Sequence, residues 1–272
     1  MSNSNRNIVI TGAASGLGRA LALGYAAPKV SICVVDLNKD DGLAVVDLLK
    51  DKGCDAWYQN CDITQQKDVD ELTAAIQNKW QHVDLLINNA GVATAGALAF
   101  EDIEQWQWVL NINLLGMVRV TRSLIDCMPN PSKIINIASQ AGITPIPLMA
   151  SYNASKAAVV SFSETMHLEL APKGVQVSVA CPSFFPTNLD KSLRSKQPGI
   201  DKVVSKLLSR SDLSATQVAA TIIQQADAGR FMIITHKAGK TAYNLKRFLP
   251  IRSYLNMIKR KTRQLSKIRE SK

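Results

Sequence analysis

The chain has 272 residues, 46% of them hydrophobic, and a formal net charge of +10. No apolar run approaches the roughly 18 to 20 residues of a membrane-crossing helix, and the five scattered cysteines form no CxxC or Cys/His cluster, which argues against a transmembrane protein, a disulfide framework and a metal site. The charge is concentrated: residues 236–272 hold twelve of the 32 Lys/Arg and one of the 22 acids, leaving twenty bases against twenty-one acids elsewhere, so any case for a polyanion or membrane surface concerns that tail.

The opening residues carry no apolar export segment, and a cytoplasmic location is expected. Strand-length apolar runs at 8–11, 30–36, 56–61, 83–88, 133–138, 175–180 and 231–235 alternate with helix-period segments at about 16–27, 40–52, 66–80, 103–127, 152–171 and 216–228. This alternation predicts an α/β fold, a Rossmann-type doubly wound seven-stranded parallel sheet in three αβα layers. Residues 1–235 read as a single domain and 236–272 as a basic, helical C-terminal extension. Within the domain, 183–214 carries no clear element but includes Lys191, Arg194, Lys196, Lys202 and Lys206. So long a connection reads as a substrate-binding loop.

After the first predicted strand comes Thr11-Gly12-Ala13-Ala14-Ser15-Gly16-Leu17-Gly18. Glycines permit a tight turn, and amides at a helix N-terminus favour phosphate, so Gly12, Ser15, Gly16, Leu17 and Gly18 are the expected pyrophosphate cradle. Asp36 closes the second strand, eighteen residues beyond Gly18. A carboxylate there would accept ribose hydroxyls and repel a 2′-phosphate, predicting NAD(H) over NADP(H); the alternative is a turn or helix-capping aspartate. Asp62 has two similar readings, an adenine contact or the N-cap of the next helix. The fourth strand ends in Asn88-Asn89-Ala90-Gly91, whose amides need partners in neighbouring backbone or a cofactor. Asn113, inside a helical segment, is expected to bridge backbone and ordered water.

Ser139 follows the run Ile134-Ile135-Asn136-Ile137-Ala138, and so lies at a strand's carboxyl end, where open α/β sheets bind ligands. Thirteen residues later, Tyr152 and Lys156 stand four apart on one helix face. An ammonium beside a phenol favours its ionised form and brings a pKa near 10 toward the range useful for proton transfer.

These residues resemble one family, the classical short-chain dehydrogenases/reductases. The resemblance spans residues 6–235 and rests on TGxxxGxG at 11–18, NNAG at 88–91, Asn113, Ser139 and the Tyr152/Lys156 pair, in the family's order and spacing. It implies that Tyr152 is the proton donor or acceptor at the substrate oxygen and that Lys156 binds the nicotinamide ribose and lowers the tyrosine pKa. Ser139 would hold the substrate oxygen and Asn113 would position a water. The cofactor site would include Asn89, Ala90, Gly91, Pro182 and Thr187. After the sixth strand the family usually has Pro-Gly; here Ser183 follows Pro182, and Phe184 and Phe185 enter the loop before Thr187.

The implied activity is that of an NAD-dependent alcohol dehydrogenase or carbonyl reductase, as a homodimer or homotetramer. The rival reading is an NAD(H)-binding regulatory or scaffold protein. Apolar residues at Ile143, Pro145 to Met149, Phe184 and Phe185 suit a small hydrophobic or lipid-like alcohol or ketone, or else pack the loop on the core. In the tail, Ile251, Tyr254, Leu255, Ile258, Thr262, Leu265 and Ile268 form a near-helical stripe beginning after Pro250. Residues 244–272 would bind an anionic membrane surface peripherally, dock on a subunit, or remain disordered. Nucleic acid ranks last, because few aromatics interleave the bases.

Overall fold

The computed structural model describes residues 6–186, 192–200 and 213–263. Its strands are β1 (Arg6–Thr11), β2 (Val30–Asp36), β3 (Asp55–Asn60), β4 (Leu85–Asn88), β5 (Ser132–Ile137), β6 (Val175–Ala180) and β7 (Met232–Ile233). They form one sheet of order β3-β2-β1-β4-β5-β6-β7, every pair parallel. The order reverses between β1 and β4, and at such a switch the crossovers diverge and leave a crevice beyond the strand ends.

Ten α-helices are described: α1 (Gly16–Tyr25), α2 (Lys39–Lys50), α3 (Gln66–Lys79), α4 (Ile103–Leu110), α5 (Met117–Leu124), α6 (Gln140–Ile143), α7 (Ala150–Leu170), α8 (Ala215–Asp227), α9 (Lys237–Phe248) and α10 (Ile251–Lys261). Successive strand side chains point to opposite faces, which explains two cores. Ile8 and Ile10 pack with Leu21, Leu49 and Ile222 of α1, α2 and α8; Val9 packs with Leu72, Val120 and Met166 of α3, α5 and α7.

The helical segment expected at 103–127 is interrupted by a π-helical turn, Asn111–Gly116, between α4 and α5. Such widened turns are frequent at functional sites, and this one holds buried Asn113. Helix α9, inside the extension expected to be helical, approaches the body closely at Gly239. A Cβ on Gly239 would lie 2.3 Å from Gln140 Oε1. Pro250 caps α10, as expected from its position.

Candidate active site

The glycine turn is fixed from the neighbouring strand. Gly12 takes a φ of 64° and Gly16 one of 52°, values at which a side chain is strained. Gly18 is required by packing, since a Cβ there would lie 2.1 Å from Gly12 O. Asn89 Nδ2 donates to both Thr11 O and Gly12 O at 2.9 Å. The Asn89 and Ala90 amides donate to Thr11 Oγ1 at 3.0 and 3.1 Å. Asn88 turns instead into the core, its Nδ2 donating to Thr121 Oγ1 and Asn136 Oδ1, each at 2.9 Å.

One cleft of about 850 Å³ runs along the strand ends, lined at this side by Gly12, Ser15, Gly16, Leu17, Asp36, Asp62 and residues 89–91. Gly18 does not line it but supports the turn through its contact with Gly12. The N-cap of α1, Ser15, makes no side-chain capping bond and the first turn contains no acid. The helix therefore presents its partial positive charge to the cleft with no acid in its own first turn. Asp36 Oδ2 accepts from Ala14 N at 2.9 Å and Oδ1 from Asn38 N at 3.0 Å. It thus joins strand end to glycine turn, and Asn38 is the cap of α2. Asp62 Oδ1 accepts from Thr64 N at 2.9 Å and Thr64 Oγ1 at 2.7 Å. This is a local turn; the cap of α3 is Gln65.

At the other end, beyond β5 and β6, the cleft is lined by Ser139, Tyr152, Lys156 and Pro182. Thr187 lies outside the described residues. Ser139 caps α6, its Oγ accepting from Ala141 N at 3.1 Å. Tyr152 and Lys156 are buried one turn apart in α7. Lys156 Nζ donates to Ile137 O at 3.0 Å and lies 6.0 Å from the centre of the Tyr152 ring.

Burial draws the Lys156 pKa down to about 8, opposed by the Cys181 sulfur. Burial also pushes the Tyr152 phenol upward, opposed by the Ser139 side chain. The expectation that the lysine brings this pKa down is thereby corrected. Loss of water around the phenolate outweighs the stabilising groups, and the neighbour that acts in the lowering direction is Ser139.

Asn113 meets backbone, as expected. Its Oδ1 accepts from Val92 N at 2.8 Å, and its Nδ2 donates to Val92 O and Ser155 Oγ, each at 3.0 Å. Ser155 Oγ in turn donates to Tyr152 O at 2.8 Å. The amide therefore ties the segment after β4 to the helix carrying Tyr152. A Cβ on Gly91 would lie 3.1 Å from Asn113 Oδ1 and 3.3 Å from Lys156 Nζ, so both side chains converge on that glycine.

Several contacts around the cleft carried no sequence signal. Buried Glu101 accepts from Ser151 N at 2.9 Å through Oε2, across fifty residues. It anchors the first turn of α7, whose N-cap, Met149, makes no capping bond. Burial raises its pKa against the opposing Ser151 hydrogen bonds. Asn136 Nδ2 donates to Ser163 Oγ at 2.9 Å, fastening β5 to α7. The Arg194 guanidinium carbon lies 3.8 Å from the ring centre of Trp108, which lines the cleft.

The apolar flank divides. Ile146, Phe184 and Phe185 line the cleft, Leu148 and Met149 pack beside Tyr152, and Ile143 turns toward Val159 and Tyr243. Ser183 N donates to His236 Nδ1 at 3.3 Å, so the loop following β6 is held by the residue preceding α9.

Residues 6–198 match the family model described as short chain dehydrogenase, and the chain belongs to that family. A CLA biosynthesis dehydrogenase/reductase of Lactiplantibacillus plantarum is 29% identical over 247 residues, covering 84% of this chain and 86% of its relative. A 3-oxoacyl-[acyl-carrier-protein] reductase of Synechocystis sp. is 32% identical over 191 residues, covering 69% and 77% respectively. The crystal structure of a short chain dehydrogenase/reductase from Burkholderia phymatum in complex with NAD matches with a TM-score of 0.85 at 30% identity, covering 91% of this chain and 94% of that one. The protein is an oxidoreductase of the short-chain dehydrogenase/reductase family on a Rossmann-type sheet.

Proposed function

We propose that this protein is an NAD(H)-dependent oxidoreductase that interconverts a hydrophobic secondary alcohol and its ketone. The observation that carries this reading is the continuity of one cleft, from the open N-terminus of α1 and the Asp36 carboxylate to Ser139, Tyr152 and Lys156 at its other end. An uncapped helix N-terminus suits a pyrophosphate, and a carboxylate at the end of β2 suits ribose hydroxyls while repelling a further phosphate. NAD(H), when bound, supplies the hydride donor or acceptor.

The Ser139 and Tyr152 hydroxyls then hold the substrate oxygen, and Tyr152 gives or takes the proton there. Its raised pKa keeps the phenol protonated at neutral pH, the form needed to protonate a ketone oxygen during reduction. Lys156 places its ammonium next to the proton transfer and, on this reading, against the nicotinamide ribose. Asn113, Ser155 and Glu101 hold the segments that carry these groups. Ile146, Phe184 and Phe185 exclude water and favour an apolar substrate body. The family resemblance adds a homodimer or homotetramer to the proposal. Convergence of a proton donor and its supporting groups favours an enzyme over a cofactor-binding scaffold, which has no use for that arrangement.

The test is turnover of the full chain with NAD⁺ and secondary alcohols of increasing apolar length, and with NADH and the matching ketones, followed by nicotinamide absorbance. Turnover should increase with apolar length. Absence of turnover across both series would defeat the reading.

A further inference from the structure

The near-neutral body leaves the basic end of the chain to be explained. Helix α9 is fixed against the body: Gln140 Nε2 donates to Gly239 O at 3.2 Å, Lys246 Nζ donates to Ile143 O at 2.7 Å, and Tyr243 packs with Ile143 and Val159. The chain then bends at Pro250 into α10, which Tyr254 anchors with 2% exposure. Around this bend, large apolar side chains remain in solvent: Phe248 is 79% exposed, Leu249 37%, Ile251 59% and Leu255 55%.

Residues 237–261 contain eight Lys/Arg and no Asp/Glu. None of the eight forms a salt bridge among the described residues. Arg247, Arg252 and Lys259 are exposed on the same short stretch as the apolar group.

We propose that this α9–α10 elbow docks on an anionic lipid surface, with Phe248, Leu249, Ile251 and Leu255 entering the headgroup–acyl boundary and the neighbouring bases meeting lipid phosphates. The two halves of the patch select the occupant. A second copy placing the same elbow against this one would bring bases against bases, with no acid on either elbow to answer them. A polyanion without an apolar phase would satisfy the bases but leave four large apolar side chains wet. An anionic lipid interface accommodates both. The attachment is peripheral, because no helix among the described residues is long and apolar enough to cross a membrane.

The position gives the contact a functional consequence. Helix α9 holds Gln140 and Ile143, while Gln140, Thr144 and Ile146 line the substrate end of the cleft. Docking here would bring that end beside the lipid from which an apolar alcohol or ketone enters. This delivery role rests on the proposed enzymatic reading; the docking itself does not.

Co-sedimentation of the full chain with phosphatidylcholine vesicles, with or without phosphatidylglycerol, tests the proposal. Binding should require phosphatidylglycerol and weaken with salt. Combined Phe248→Ser, Ile251→Ser and Leu255→Ser should lower partitioning about tenfold while circular dichroism and turnover in solution are retained. Arg252→Glu with Lys259→Glu should lower it in the same direction. Absence of binding to the anionic vesicles, or undiminished binding by the serine variant, overturns the proposal. So does loss of an oligomer in that variant by light scattering, which would make the elbow a subunit contact, or tighter binding to duplex DNA than to vesicles. Vesicle binding without turnover on any alcohol or ketone would defeat the enzymatic reading and leave the docking intact.

Discussion

At the β1–β4 end of the cleft, the wall is largely backbone: a glycine turn held by Thr11 and Asn89, the open start of α1, and Asp36 bonded to two backbone amides. At the β5–β6 end it is made of side chains from distant stretches, with Ser139 following β5, Tyr152 and Lys156 on α7, and Phe184 and Phe185 beyond β6. A backbone-built site depends on exact closeness of approach and tolerates little change in volume. A side-chain site depends on burial and hydrogen bonding, so its chemistry can be altered without disturbing the sheet. The proposed division is therefore a rigid cofactor end and a separable catalytic end.

Substitutions can break that comparison in graded steps. The largest effect is expected for Tyr152→Phe, which removes the hydroxyl proposed to transfer the proton but preserves ring packing. Turnover should fall about a thousandfold, while NADH binding, read by fluorescence titration, remains. Retained turnover would remove Tyr152 from its assigned role. Gly18→Ala should have the opposite character. With Gly12 O at 2.1 Å from the new Cβ, the turn must distort, and stability measured by urea unfolding should fall by about 3 kcal/mol, with weakened cofactor binding.

Lys156→Met should separate stability from activity. In the folded protein burial lowers the lysine pKa to about 8, against an ordinary 10.5. Between these values the unfolded chain binds more protons, so this group makes stability rise with pH; below them its full burial penalty is present. The methionine variant should therefore be inactive yet more stable than the parent by about 2 kcal/mol at neutral pH, the difference narrowing as pH approaches that of free lysine. Urea unfolding across pH checks the sign. The smallest expected effect belongs to Asp36→Ala, which should reduce the preference for NAD(H) over NADP(H) by about tenfold, read as a ratio of kcat/KM values. An unchanged ratio would remove Asp36 from cofactor selection.

The parts of the site legible in the sequence were those whose geometry is local. Glycines between strand and helix describe a turn, and Tyr152 and Lys156 share a helix face because they are four residues apart. The flank at 143–149 was less legible, since the same apolar residues can line a cleft or pack beneath it. Ile146 does the first and Ile143 the second. Glu101 was invisible because its partner Ser151 is fifty residues away. Asn113 was recognised as part of the site, but its bonds to Val92 and Ser155 depend on how two loops and two helices meet. The tail showed its charge and stripe in advance; only packing separated Tyr254, turned inward, from Ile251 and Leu255, left outside.

Periodicity, turn chemistry and motif order determined the αβ alternation, the glycine turn and the identity of the candidate serine, tyrosine and lysine. Tertiary structure decided the burial of that lysine and tyrosine, the partners of Asn113 and Glu101, and which apolar side chains between 248 and 255 stay exposed. The physical reason is range. Backbone preferences act over a few residues, whereas burial and desolvation depend on every element that closes around a group.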